Sequence, residues 1–180
     1  VILFIVTMAH EGLNLWLGAD FAENSTRVLQ WLALGVFFNS LAQVPFALIQ
    51  GAGRPELTAR LHLIELPFYI FAVWWMLITY GIVGAAQVWA ARMAIDAIFL
   101  FVIAQGFLVR GSLLNLRNIL MILMMLLPLI VAMFLTGIVV KEVYLFTLIA
   151  VFIFGTWLVI LSSEERAFLV RRMRNIGFWK

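Results

Sequence analysis

Four charged residues, Glu11, Glu65, Arg92 and Asp96, stand inside stretches that are otherwise apolar. A charge in hydrocarbon costs at least about 2.5 kcal/mol on insertion scales, so such groups pair with one another or face a protein-lined aqueous cavity. Their neighbours at helical spacing extend the pattern. At 100° per residue His62, Glu65 and Tyr69 share one face with Ala72, Met76 and Thr79. Arg92 and Asp96 are four apart and share a face with Ala85 and Trp89, while Ala86, Ala90, Ala94 and Ala97 form a small-residue ridge away from it. Asn39, Gln43, Ala47 and Gln50 make a third polar stripe, with Ser40 at its margin. Packing the alanine ridge on a neighbour would turn Arg92 and Asp96 toward the other two stripes, so the three are expected to converge.

The turn at Tyr80–Gly84 makes the two flanking segments an antiparallel hairpin. At about 1.5 Å per residue, Arg92 falls near mid-depth, with Glu65 and Asp96 nearer the other end. The cluster admits two readings. Arg92 and Asp96 could neutralise each other as an i, i+4 pair that only locks helix packing, or the group could line a functional cavity. Glu65 favours the second, with His62 and Tyr69 on its face and Pro67 bending its helix. Glu11 is a further candidate as a proton-relay or substrate-facing group. Adjacent His10 projects about 100° away from it, and no second histidine follows at helical spacing, so a metal site is not expected. The Met121, Met124, Met125 run reads as packing filler.

The elements that must hold these residues are membrane spans. Of the 180 residues 66% are hydrophobic and only 12% charged, and a soluble domain carries about a quarter charged residues. The mean hydropathy of +1.12 says the same. The expected fold is all-α: a polytopic transmembrane helix bundle of six spans at about 1–17, 28–50, 58–79, 83–107, 117–136 and 142–162, each of bilayer length. β-Barrel strands would be shorter and alternating, whereas Ile119 to Val131 is apolar on every face. Expected outer loops lie at Gly18–Arg27, Tyr80–Gly84 and Gly137–Glu142. Arg54, Arg60, Arg110, Arg117, Arg166, Arg171, Arg172, Arg174 and Lys180 fall on one side, against Arg27 and Lys141 on the other. Basic residues accumulate in the cytoplasm, so both ends are expected there. Residues 163–180 read as a basic amphipathic tail at the membrane surface and lack the elements that would bind nucleic acid. Asn24-Ser25-Thr26 matches a glycosylation sequon, but Ser25 or Thr26 as a cap for the second span explains it equally well.

The absence of cysteine removes disulfides and thiolate chemistry, and two histidines make an all-histidine centre unexpected. No phosphate loop or nucleophile arrangement can be assembled, so neither an enzyme nor a cofactor is expected. The chain opens at Val1 in mid-apolar run, without an initiator methionine or a secretory leader, and reads as a piece of something longer.

The stretches LNLWLGADFAENSTRVLQWLALGVFFNSLAQVPFALIQGAGRPELTARLHLIELPFYI and YGIVGAAQVWAARMAIDAIFLFVIAQ resemble the C-terminal part of polysaccharide flippases of the multidrug, oligosaccharidyl-lipid and polysaccharide exporter superfamily. The resemblance covers about residues 13–108 and rests on the order of Gly18, the Gln50–Arg54 turn and the Tyr80–Ala86 turn. It implies a two-lobed transporter of the bacterial inner membrane that moves undecaprenyl-diphosphate-linked oligosaccharides outward for surface polysaccharide such as lipopolysaccharide. Residues 1–108 would supply the last four helices of the second lobe, and 109–162 two additional helices. Its partners would be the bilayer, a missing N-terminal lobe and the lipid-linked substrate. Cationic cavity residues of the family bind diphosphate or acidic sugars, a role that Arg92 alone matches here, while Glu65 and Asp96 depart from a purely cationic cavity. A cation-coupled drug antiporter of the same superfamily, which would use those acids, and a non-transporting assembly subunit are the alternatives.

Overall fold

The computed structural model describes residues 1–108 and 115–155. All regular structure among them is helical: α1 (Ile2–Thr7), α2 (Ala9–Leu17), α3 (Ala19–Gly51), α4 (Pro55–Gln105), α5 (Leu116–Ala132) and α6 (Ile138–Gly155). Three of these, α3, α4 and α6, are long and apolar enough to cross a membrane, and α5 contains a shorter apolar helix at Asn118–Ala132. The chain is thus a helical membrane protein. It forms two compact units, one from Val1 to Leu135 and one from Thr136 onward. The second contains α6, an apolar helix with Val143, Phe146, Ile149 and Phe152 exposed. The tail expected at 163–180 lies outside the described residues.

Several expected boundaries move, each for a local reason. The first run is two short helices divided at Met8 (φ −99°, ψ 18°) rather than one span over 1–17. Buried Gln30 donates from its amide to the Val6 carbonyl at 3.1 Å, and a side chain that enters a helix ladder in this way is a cause of such breaks. The expected loop at Gly18–Arg27 is helical from Ala19. Gly18, at φ 91°, makes the whole turn, Asp20 sits favourably in the first turn, and Asn24 and Thr26 bond back to the carbonyls of Asp20 and Ala22 at 2.8 and 2.6 Å. Polar residues that signal a loop therefore extend the helix beyond its apolar stretch, and neither Ser25 nor Thr26 caps it. Gly137 (φ 83°) likewise confines its turn, so Lys141 and Glu142 belong to α6 rather than to a loop over 137–142. Within the first unit α1 packs against α3 and α5, and the Arg27 guanidinium reaches the Met133 carbonyl at 3.5 Å, near the end of α5.

α4 is two antiparallel arms, 55–80 and 82–105, joined at Gly81, whose φ of 64° and ψ of −153° are not helical. A β-carbon on Gly84 would stand 2.4 Å from the Met76 carbonyl oxygen. In an unbroken helix those residues would be about 12 Å apart along the axis, so the chain has doubled back.

The second arm packs on α3 through small residues in a constant register. A β-carbon on Gly35 would approach the Ala90 Cα at 3.2 Å, and Ala42, Ile49, Ala97, Leu100 and Ala104 form one buried cluster. Gly35, Ala42 and Ile49 are spaced by sevens, as are Ala90, Ala97 and Ala104, the period that keeps two helices in continuous contact. The alanine ridge does pack on a neighbour, and that neighbour is α3. The Trp89 ring fills the space beside Gly35, where a β-carbon would lie 2.2 Å from Cζ3. Gly35→Ala is therefore expected to destabilise the protein by about 1–3 kcal/mol, the cost of overpacking. Thermal unfolding in detergent checks this, and Trp89→Leu in the same chain should recover part of the loss.

Candidate functional site

The hairpin sets two charged faces against each other. On the first arm the steps from His62 to Glu65 and from Glu65 to Tyr69 are three and four residues, so these side chains stack on one side. They are half-buried, whereas Leu63, Ile64, Leu66, Phe68, Ile70 and Phe71 around them are exposed. The inward face of this arm is thus its polar face. The second arm answers with Arg92 and Asp96 while its alanines hold α3.

Three contacts tie the arms together. Arg92 Nε lies 3.5 Å from Glu65 Oε2. The Arg92 guanidinium carbon stands 4.9 Å from the Tyr69 ring centroid, within cation–π range. His62 Nε2 donates to Asp96 Oδ1 at 3.1 Å. Counted from Gly81 at about 1.5 Å per residue, Arg92 and Tyr69 share a level some 16–18 Å down, and Glu65 and Asp96 share the next at about 22–24 Å. The Asp96 side chain is 9% exposed, Glu65 10%, Arg92 24% and His62 42%, so the two carboxylates are the most enclosed and the group opens on either side of them, at the guanidinium and at the imidazole. Among the described residues no set of three potential ligands could hold a metal ion.

These pairings differ from one of the two readings. Arg92 and Asp96 do not neutralise each other along the helix; each takes a partner from the opposite arm. Arg preceding Asp at i, i+4 is the weaker order on a helix, and the facing arm offers Glu65 to one and His62 to the other. The Arg92–Glu65 contact is ionic and loose. Among the described residues neither Glu65 oxygen nor Arg92 Nε makes a hydrogen bond. The terminal nitrogens of Arg92 make no hydrogen bond among the described residues, and the side chain is partly exposed. The arrangement holds a guanidinium by one edge and leaves its fork open, a geometry suited to a phosphate or carboxylate.

The third expected stripe does not join this cluster. Asn39, Gln43 and Gln50 are exposed on α3, because α3 turns its Gly35, Ala42 and Ile49 face to the second arm, and the amides lie about 80° farther round. Gln50 donates to Thr58 Oγ1 at 3.3 Å, bracing the turn between α3 and α4. Glu11 is half-buried on α2, on neither arm of the hairpin. Sequence reasoning missed Gln30, 5% exposed and bonded to Val6. Its signal was an amide in an apolar run, at a position belonging to no stripe.

Over 98 residues, 53% of its length, the chain is 38% identical to a Shigella flexneri protein named "Putative O-antigen transporter". The match covers 23% of that protein, so the chain spans about a quarter of the length of the curated relative it matches. No family model matches the chain, and no solved structure does. The chain is therefore related to a protein named as a transporter of O-antigen, which is the polysaccharide-flippase relationship that the quoted stretches carry.

Proposed function

We propose that the chain forms part of a flippase that moves undecaprenyl-diphosphate-linked oligosaccharides outward across the bacterial inner membrane, acting as a transporter and not as an enzyme. The observation that carries this reading is the 38% identity to the protein named "Putative O-antigen transporter". The open guanidinium of Arg92, about halfway across an apolar hairpin, supports it by offering a place for the diphosphate or an acidic sugar. Six spans, both ends in the cytoplasm and a further lobe that completes the cavity belong to the same proposal. The test is deletion of the gene encoding the intact protein: surface polysaccharide should be lost while the lipid-linked repeat unit accumulates. Normal surface polysaccharide in the deletion strain would refute the reading. Two carboxylates and an imidazole around a single permanent cation favour the drug antiporter as a second reading. Uptake of a cationic dye by vesicles containing the intact protein would select it.

The orientation has its own test. This chain contains no cysteine, so single replacements report sidedness once any cysteines elsewhere in the intact protein are removed. Cysteine in place of Tyr80, at the exposed hairpin end, should react with an impermeant maleimide from the outer side, and cysteine in place of exposed Arg54 from the cytoplasmic side. The opposite pattern would invert the proposed topology.

A further inference from the structure

The two outward surfaces of the first unit differ in chemistry. Between Leu63 and Ile78 the first arm of α4 exposes only apolar residues, among them Leu63, Ile64, Phe68, Ile70, Phe71 and Trp74. α3 instead exposes Asn39, Ser40, Gln43 and Gln50 on one side of a helix of membrane-crossing length. Ser40 bonds to its own helix at the Val36 carbonyl, and Gln50 is held by Thr58. The carboxamides of Asn39 and Gln43 have no hydrogen-bond partner among the described residues. Two unpaired amides cannot rest against lipid chains, because each would lose its hydrogen bonds to water without replacement.

We infer that this face of α3 is a wall of a water-filled passage and that Asn39 and Gln43 bind neutral sugar hydroxyls there, at a subsite separate from the Arg92–Glu65 pair. A close-packed helix is the poorer occupant. Where α3 does receive a helix it presents Gly35 and Ala42, whereas this side projects two carboxamides beside exposed Val36. An ionic ligand is poorer still, since the face carries no charge. Each carboxamide offers one acceptor oxygen and two N–H donors, the complement of a hydroxyl that both donates and accepts. One helical turn, about 5–6 Å between β-carbons, separates them. Measured from the ends of their helices at about 1.5 Å per residue, Asn39 is some 18 Å above Gly51 and Arg92 some 20 Å above Gln105. Because α3 and the second arm run parallel in constant register, amides and guanidinium stand at one depth.

The sugar assignment rests on the proposed flippase reading; the water-filled passage does not. The test uses the intact protein without other cysteines, carrying Asn39→Cys or Gln43→Cys, with Ile64→Cys and Phe71→Cys as lipid-facing controls. A charged thiosulfonate reagent is applied to vesicles of both orientations. Modification at 39 and 43 should be at least tenfold faster than at 64 and 71, and equal, negligible rates would overturn the passage. Asn39→Leu combined with Gln43→Leu should cut export of the lipid-linked repeat unit at least tenfold with unchanged protein in the membrane. Wild-type export by that variant, with positions 39 and 43 still reactive, would overturn the sugar subsite alone. Loss of the flippase reading itself would show as normal surface polysaccharide in the deletion strain, and the labelling rates would be unaffected by it.

Discussion

Arg92→Ala in the intact protein is expected to abolish export and to lower stability by about 1–3 kcal/mol, the cost of leaving a largely enclosed carboxylate without its partner. The reason lies in what it strands. Among the described residues the Glu65 carboxylate accepts no hydrogen bond, and Arg92 is its ion-pair partner; the nearby imidazole of His62 is engaged by Asp96. Two roles of Arg92 predict different outcomes for the pair of changes Arg92→Ala and Glu65→Ala. If Arg92 serves only to neutralise Glu65, the double variant regains both thermal stability and export, because no uncompensated charge remains. If its open fork binds the anionic part of the substrate, the double variant regains stability and stays inactive. Arg92→Lys should fall between wild type and alanine in export, since it keeps the charge but loses the planar fork and its stack on Tyr69. Restored export in the Arg92→Ala, Glu65→Ala chain would end the substrate-binding role.

The hairpin itself was legible in the residues. Helical spacing put His62, Glu65 and Tyr69 on one face and Arg92 and Asp96 on another, and the Tyr80–Gly84 turn placed those faces at matching depths. Pairing was not legible. Arg92 has Asp96 one turn away and Glu65 across the gap, and choosing between them needs the distance between arms, which Gly84 sets and periodicity does not. The amides of α3 show the same boundary from the other side. A 100° count says that Asn39, Gln43 and Gln50 share a face, but which face meets α4 was decided by Gly35 and Ala42 allowing the closer approach. The early start of α3 went unread because Asp20, Glu23, Asn24 and Arg27 look like a loop by composition. Gly18 completes the turn alone, and the polar side chains then satisfy or flank a helix end. At the break at Met8 the Val6 carbonyl takes a hydrogen bond from Gln30, more than twenty residues distant, and no local propensity at Met8 announces it.

The close approach of the arms gives the second large effect, and it separates two glycines three residues apart. Gly81 needs its conformation: φ of 64° with ψ of −153° lies where only glycine is comfortable, yet a β-carbon there would touch nothing within 4 Å. Gly81→Ala should therefore cost about 1–3 kcal/mol of backbone strain and leave the arms where they are. Gly84 has no positive φ, and its constraint is space. A β-carbon would lie 2.4 Å from the Met76 carbonyl oxygen, 3.0 Å from its carbon and 2.9 Å from the Tyr80 β-carbon. None of these is the free end of a flexible side chain, so relief requires the arms to separate. Gly84→Ala is expected to exceed the 1–3 kcal/mol typical of overpacking, and Gly84→Val to exceed it further. Separation also acts at a distance. Arg92 is about 12 Å farther along the second arm, and a contact as loose as 3.5 Å to Glu65 has little reach to spare. Gly84→Ala should thus reduce export beyond what its membrane abundance explains, whereas Gly81→Ala should reduce the two in proportion. Thermal unfolding in detergent, with export normalised to protein in the membrane, measures both. An unfolding temperature for Gly84→Ala equal to wild type would mean that the arms do not meet at Met76 and Gly84.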